Sequence, residues 1–140
     1  SRTSMYAIRR GPRGLSLRKG LPVDVYEFFA DWPESMELAV ELRALVFSTI
    51  PSLQEKVQSG WCILSLRAGP RHGDTVCWIA PKTWGLHLGF PFGKEVPDPA
   101  GLMFALSGNA SPARNVRVES SEDIARPALQ ELIRSAYALL

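Results

Sequence analysis

Residues 61–90 read WCILSLRAGPRHGDTVCWIAPKTWGLHLGF, and the reading of this stretch decides the fold. Trp61 to Leu66 is a β-prone run. Ala68 to Asp74 carries strong turn chemistry, because glycine reaches unusual backbone angles and proline presets φ. Thr75 to Ala80 is a second β-prone run, so the two read as an antiparallel hairpin with a medium-length loop. Pro81 to Thr83 turns the chain again. Trp84 to Phe90 then makes a third strand with Leu86, Leu88 and Phe90 on one face, since strand side chains alternate. A three-stranded meander is expected.

On the N-terminal side the pattern is helical. Pro22 suits the first turn of a helix, where its missing N–H costs nothing. Val25, Phe28, Phe29 and Trp32 follow at steps of three and four, the apolar stripe of an amphipathic helix. Pro33 biases Trp32 away from helical geometry and opens a second helix carrying Leu38, Leu42, Leu45, Val46 and Ile50. Pro51 stops it. Residues 52–60 fit either a capped turn, through Ser52 and Glu55, or the lead-in to a strand.

On the C-terminal side, Asp98-Pro99 predicts a short helix through Leu102, Met103 and Leu106, ended by Gly108. Arg114 to Glu119 alternates polar and apolar residues, which predicts a half-buried strand near an edge. Ser120 with Asp123 caps a short turn, and Pro127 starts a terminal helix through Leu129, Leu132, Ile133, Ala136, Tyr137 and Leu140. The expected class is α+β: an antiparallel sheet of about four strands with helices packed on one face, in the order α-α-β-β-β-α-β-α.

A chain of 140 residues is about one domain's worth. No apolar run approaches the roughly 18 residues of a membrane span. Two cysteines exclude a disulfide-built scaffold and fit a reducing, cytoplasmic compartment. The net charge of +2 hides a division. Residues 1–20 carry Arg2, Arg9, Arg10, Arg13, Arg18 and Lys19 without an acid, while residues 20–42 carry six acids without a base. The sequence therefore divides into a basic extension, 1–20, and a single domain, 21–140. The plainest reading of the extension is a mobile or loosely docked head. Two others are a head lying against the acidic block and an anion-binding arm using Arg9, Arg10 and Arg13, because clustered arginine is the footprint of phosphate binding.

From Val23 to Leu140 the order and wording resemble the YdhG-like family of bacterial domains. The carrying segments include Leu42-Arg43-Ala44-Leu45-Val46, Ile79-Ala80-Pro81-Lys82, Leu86-His87-Leu88-Gly89-Phe90 and Asp98-Pro99-Ala100-Gly101-Leu102. Arg114 to Glu119 and Ser121-Glu122-Asp123-Ile124 match the closing pattern. The resemblance implies a small cytoplasmic α+β domain. It also brings in iron, since some members are described as frataxin-like iron chaperones.

Iron favours carboxylate oxygens. Asp24, Glu27 and Asp31 step by three and four along one helix face, and Glu34, Glu37 and Glu41 repeat the step on the next. Such rows would collect iron weakly, although an amphipathic helix also needs a polar face and Pro33 breaks the row. His72 and His87 lack ligand spacing and read as a loop residue and a sheet-surface residue. Cys62 and Cys77 flank the hairpin loop at equal offset. They are candidate cross-strand neighbours or, equally, two reduced thiols. There is no Cys-x-x-Cys, no Gly-x-Ser-x-Gly elbow and no glycine-rich phosphate loop. Trp61, Trp78, Trp84, Phe90 and Phe92 cluster on the meander and its exit. If helices cover one face only, some of these aromatics form a ligand or partner surface, for which Trp61, Trp84 and Phe92 are the candidates.

The leading functional expectation is a non-enzymatic binding or adaptor module for a protein or small-molecule partner. A frataxin-like iron chaperone using the acidic helices comes second. Nucleic-acid or anionic-surface binding through the head is the least favoured.

Overall fold

The computed structural model describes residues 20–140. Arg9, Arg10 and Arg13, and with them the expected anion-binding head, lie outside the described residues. Two helices come first, α1 (Val23–Ala30) and α2 (Met36–Thr49). α1 buries Val25, Phe28 and Phe29, while α2 buries Ala39, Leu42 and Val46, each at the three- and four-residue steps that make one helix face. Six strands follow: β1 (Gln54–Gln58), β2 (Ile63–Arg67), β3 (Thr75–Lys82), β4 (Gly85–Phe90), β5 (Met103–Phe104) and β6 (Arg114–Val118). The chain closes with α3 (Ser121–Ala125) and α4 (Pro127–Ala138). The Ser120 hydroxyl accepts the Asp123 N–H at 3.4 Å and so caps α3, as its sequence spacing predicts.

All strand pairs are antiparallel, in the order β1-β2-β3-β4-β6-β5. The meander of β2, β3 and β4 forms the centre. Lys82 opposes Gly85, which leaves Thr83-Trp84 as a two-residue turn. Gly85 has φ +149°, and a Cβ there would lie 2.4 Å from the Val118 carbonyl oxygen, so only glycine lets β6 close against this corner.

Register divides the side chains into two sets. Leu64 and Leu66, Cys77 and Ile79, Leu86, Leu88 and Phe90, and Val116 and Val118 share one face. All of them belong to the apolar core together with the buried residues of α1, α2 and α4. Fully burying a leucine or phenylalanine stabilises the fold by about 1.5–3 kcal/mol, so this face anchors the helices. Ile63 and Ala80 are also buried, but they point to the other face and lie outside that core. A bulge shifts the alternation at one point. Leu66 opposes Cys77 while Arg67 opposes Thr75, which places Val76 and Cys77 both in the core and sends Thr75 to the opposite face.

Two polar ties fix the helices to the sheet. The Ser35 hydroxyl, just ahead of α2, donates to the Lys82 carbonyl at the end of β3. Arg43 of α2 forks onto Glu55 of β1 through two hydrogen bonds of 2.7 Å, a geometry stronger than a single-point ion pair. Among the described residues, no helix is long and apolar enough to cross a membrane.

Three expectations need correction. The sheet has six strands, not about four: residues 54–58 resolve as edge strand β1, and β5 is a strand where a helix was expected. That helix fails because Gly101 adopts φ +66°. The Asp98 carboxylate also accepts the N–H groups of Leu102 and Met103, both at 2.9 Å, closing a turn that helix geometry excludes. The third correction concerns the cysteines. Cys77 opposes Leu66, whereas Cys62 sits one residue before β2 in a left-handed conformation at φ 55°. They are not cross-strand neighbours.

Cys77 is buried, and desolvation pushes its thiol up to about 12, so the reactive thiolate is suppressed. Cys62 is exposed. Treatment of the native protein with iodoacetamide at pH 8 is expected to modify Cys62 alone, and treatment in denaturant to modify both, as read by peptide mass spectrometry.

Candidate functional site

The face turned away from the helices holds a cavity of about 580 Å3, within the size range of small-molecule sites. Its floor is built by alternation. Ile63 and Ser65 come from β2, Trp78, Ala80 and Lys82 from β3, His87 from β4 and Asn115 from β6. Each is the odd-parity neighbour of a core residue, so the pattern that fills the helical core also lays this floor.

Trp78 lies across the floor because of its cross-strand partner, Gly89. A Cβ at Gly89 would come within 2.1–2.4 Å of the indole ring. With hydrogen in that place the ring can lie down over β4. Glycine inside a strand commonly marks such a close approach. A methyl group would push the indole up into the space that is now open.

The walls are loops. On one side Trp61 precedes β2, and its ring meets His72 edge-on, with centroids 5.5 Å apart. On the other side the 91–113 segment brings Pro91, Phe92 and Leu106. This segment is tied down. The Lys94 N–H donates to the Pro112 carbonyl at 2.9 Å, and the Arg114 guanidinium donates to the carbonyls of Ser111 and Ala113 at 2.6 and 2.7 Å. The wall is therefore held by hydrogen bonds around a single short 3-10 turn, Gly93–Glu95. Trp61 is 66% exposed and Phe92 40%, so both present apolar surface to the opening.

Of the three aromatics expected to form a recognition surface, Trp61 and Phe92 line the cavity and Trp84 does not. Trp84 is held under the Arg117 guanidinium, 3.7 Å from its ring, and Arg117 in turn pairs with Glu119 at 2.9 Å. Its contribution is indirect, through His87, whose ring meets Trp84 and Phe104 with centroids 5.1 and 5.4 Å away. The sheet-surface reading of His87 therefore needs correction: it is only 8% exposed. Burial, and then the charges of Lys82 and Arg117, hold its pKa below the ordinary value, which favours the neutral imidazole.

Sequence reasoning passed over Trp78, Lys82, His87 and Asn115 as site residues. The signal was present for the first three. Once Leu86, Leu88 and Phe90 are assigned to the core, His87 and Gly89 must face the other way, and Trp78 and Lys82 follow from Ile79.

The six carboxylates do not gather. Asp24, Glu27 and Asp31 border a separate depression of about 490 Å3 beside Trp32 and Cys62. Glu34 and Glu37 are exposed outside it, and Glu41 accepts a hydrogen bond from the Ser121 hydroxyl at 2.6 Å. Among the described residues, no three His, Cys, Asp or Glu side chains come together in a way that would hold a metal ion. Comparison of the chain with protein-family models, with curated proteins and with solved structures finds no match.

The lowered pKa of His87 gives a pH dependence with a definite sign. The unfolded chain takes up this proton near pH 6.5, whereas the folded chain does so only at lower pH. Stability contributed by the neutral ring is thus complete above about pH 6.5 and falls as the pH drops through the window below it. Urea titrations at pH 7 and 5.5 are expected to show this loss in the wild type and a smaller loss in His87→Gln. An NMR titration should place the His87 midpoint below 6.5.

Proposed function

We propose that this chain is a non-enzymatic binding module that holds a small, mainly apolar molecule against the uncovered face of its sheet. The observation that carries the reading is the cavity itself: about 580 Å3, lined by Trp61, Trp78 and Phe92, with no α-helical residue among its lining. Stacked or edge-on rings supply large contact area with defined geometry, which suits a planar guest. The hydroxyls nearest the floor favour binding over nucleophilic chemistry. Ser65 donates to the Gln58 side chain and Thr75 to the His72 carbonyl, so neither is aligned with a base. The α+β architecture is also the one implied by the YdhG-like resemblance, and membership of that family is part of the proposal.

The test uses 2-naphthalenemethanol, an uncharged two-ring alcohol, in a two-dimensional NMR titration. The indole N–H signals of Trp61 and Trp78 are expected to shift saturably, while that of Trp32, on the helical side, stays fixed. Gly89→Ala, which drives the Trp78 ring into the cavity, should weaken binding about tenfold, equivalent to about 1.4 kcal/mol. Trp61→Ala, a change at an exposed position that spares the core, should also weaken it. No saturable shift at Trp61 or Trp78 overturns the reading.

A further inference from the structure

The polar side chains of the cavity are not scattered. Ala80 opposes His87 across β3 and β4, so Lys82, two residues along, is the diagonal neighbour of His87 on the same face. Gly89 opposes Asn115 across β4 and β6, which makes Asn115 the diagonal neighbour of His87 on its other side. Lys82, His87 and Asn115 therefore form one contiguous patch across three strands. Around it the lining is apolar or aromatic on the Trp61, Ile63 and Phe92 side.

This patch is unsatisfied. His87 is 8% and Asn115 4% exposed. Among the described residues, neither of these side chains nor that of Lys82 has a hydrogen-bond or ion-pair partner. Buried polar groups are nearly always paired, because an unmade hydrogen bond costs the full desolvation of the group. Two buried side chains and a half-buried ammonium, left without partners side by side at the floor of a cavity into which their polar atoms open, mark the place for a partner that the chain does not itself supply.

The charge pattern identifies that partner. No lining residue is acidic, and Lys82 is the one lysine or arginine among them. Of the other cations on this face, Lys56 opposes Ser65 from edge strand β1 but is exposed and outside the lining. Arg117 pairs with Glu119 and stacks on Trp84. Arg67 lies on the same face but outside the lining: one of its guanidinium nitrogens donates to the Pro70 carbonyl at 3.3 Å, while its buried Nε has no partner among the described residues. One ammonium within the lining calls for one negative charge there, and the imidazole and amide beside it supply neutral N–H donors. A planar carboxylate matches this set, as it accepts several hydrogen bonds at once. A dianionic phosphate would leave charge uncompensated.

Building on the binding reading above, we infer that the natural guest is a small monocarboxylate with a ring-bearing apolar body, its carboxylate held by Lys82, His87 and Asn115. The rings rest on Trp78, between Trp61 and Phe92.

The experiment compares 2-naphthoate with 2-naphthalenemethanol, which shares its rings and lacks the charge, on the full chain by calorimetry. The wild type is expected to bind the acid about tenfold more tightly than the alcohol, as a charge-assisted hydrogen bond in a buried site would give. In Lys82→Gln that preference should vanish, with the acid losing about tenfold in affinity and the alcohol far less. Arg134→Gln, which removes a cation from α4 on the opposite side, should leave both affinities as they are. Equal binding of acid and alcohol to the wild type would overturn the carboxylate inference and leave the apolar cavity standing. A preference that survives Lys82→Gln, or that falls equally in Arg134→Gln, would also overturn it, as would parallel losses for both ligands in Lys82→Gln. Binding of neither ligand would overturn the carboxylate inference together with the reading it rests on.

Discussion

A pleated strand sends neighbouring side chains to opposite sides, and a sheet of this size has to satisfy both. Here the helices satisfy only one. Leu64, Leu66, Ile79, Leu86, Leu88 and Phe90 are covered by α1, α2 and α4 and form a continuous core. The residues between them, from Ile63 to Asn115, face away from every helix. That side is closed at its margins by loops and left hollow at its centre. The depth of the hollow depends on the contact between Trp78 and Gly89, where the absence of a single Cβ lets a large ring lie flat. Every functional statement about the molecule descends from this inequality of faces.

The loops that frame the hollow are ordered by a few specific groups. Asp98 gathers two backbone N–H groups, Arg114 gathers two carbonyls at short range, and the Gly93 turn leads Phe92 to the rim. A long connection of this sort is uncommon in a small domain unless it serves a site. Its hydrogen bonds hold the wall before any guest arrives, which lowers the ordering cost of binding. On the opposite side, Ser35 and the Arg43–Glu55 fork lock α2 to the ends of the sheet. The scaffold is thereby held rigid beneath a floor that carries Lys82, His87 and Asn115 without partners among the described residues.

Much of this was legible in the residues. The stripes Val25, Phe28, Phe29 and Leu42, Val46 announce α1 and α2 through a period of 3.6, and Leu86, Leu88, Phe90 announce β4 through a period of two. The helix expected after Asp98 was misread because Asp-Pro is equally the start of a turn. Propensity does not say whether the next carboxylate contact closes a helix or a loop, and Gly101 at positive φ decides it. The equal offset of Cys62 and Cys77 from the hairpin loop misleads because the bulge at Val76 and the left-handed turn at Cys62 each shift the register. Of the site, the exposed Trp61 and Phe92 could be named from sequence. Of the patch, strand parity turns Lys82 and His87 to the open face, but that Asn115 joins them could not be read, because it depends on a register across three strands that no local pattern reveals.

The most direct measurement of the inequality of faces is a set of intermolecular nuclear Overhauser effects between bound 2-naphthalenemethanol and the methyl groups of the protein. Contacts to the methyls of Ile63 and Ala80, with none to Leu42, Val46 or Leu88, are the result this account requires. Contacts to the helical core methyls instead, or to both sets alike, would contradict it.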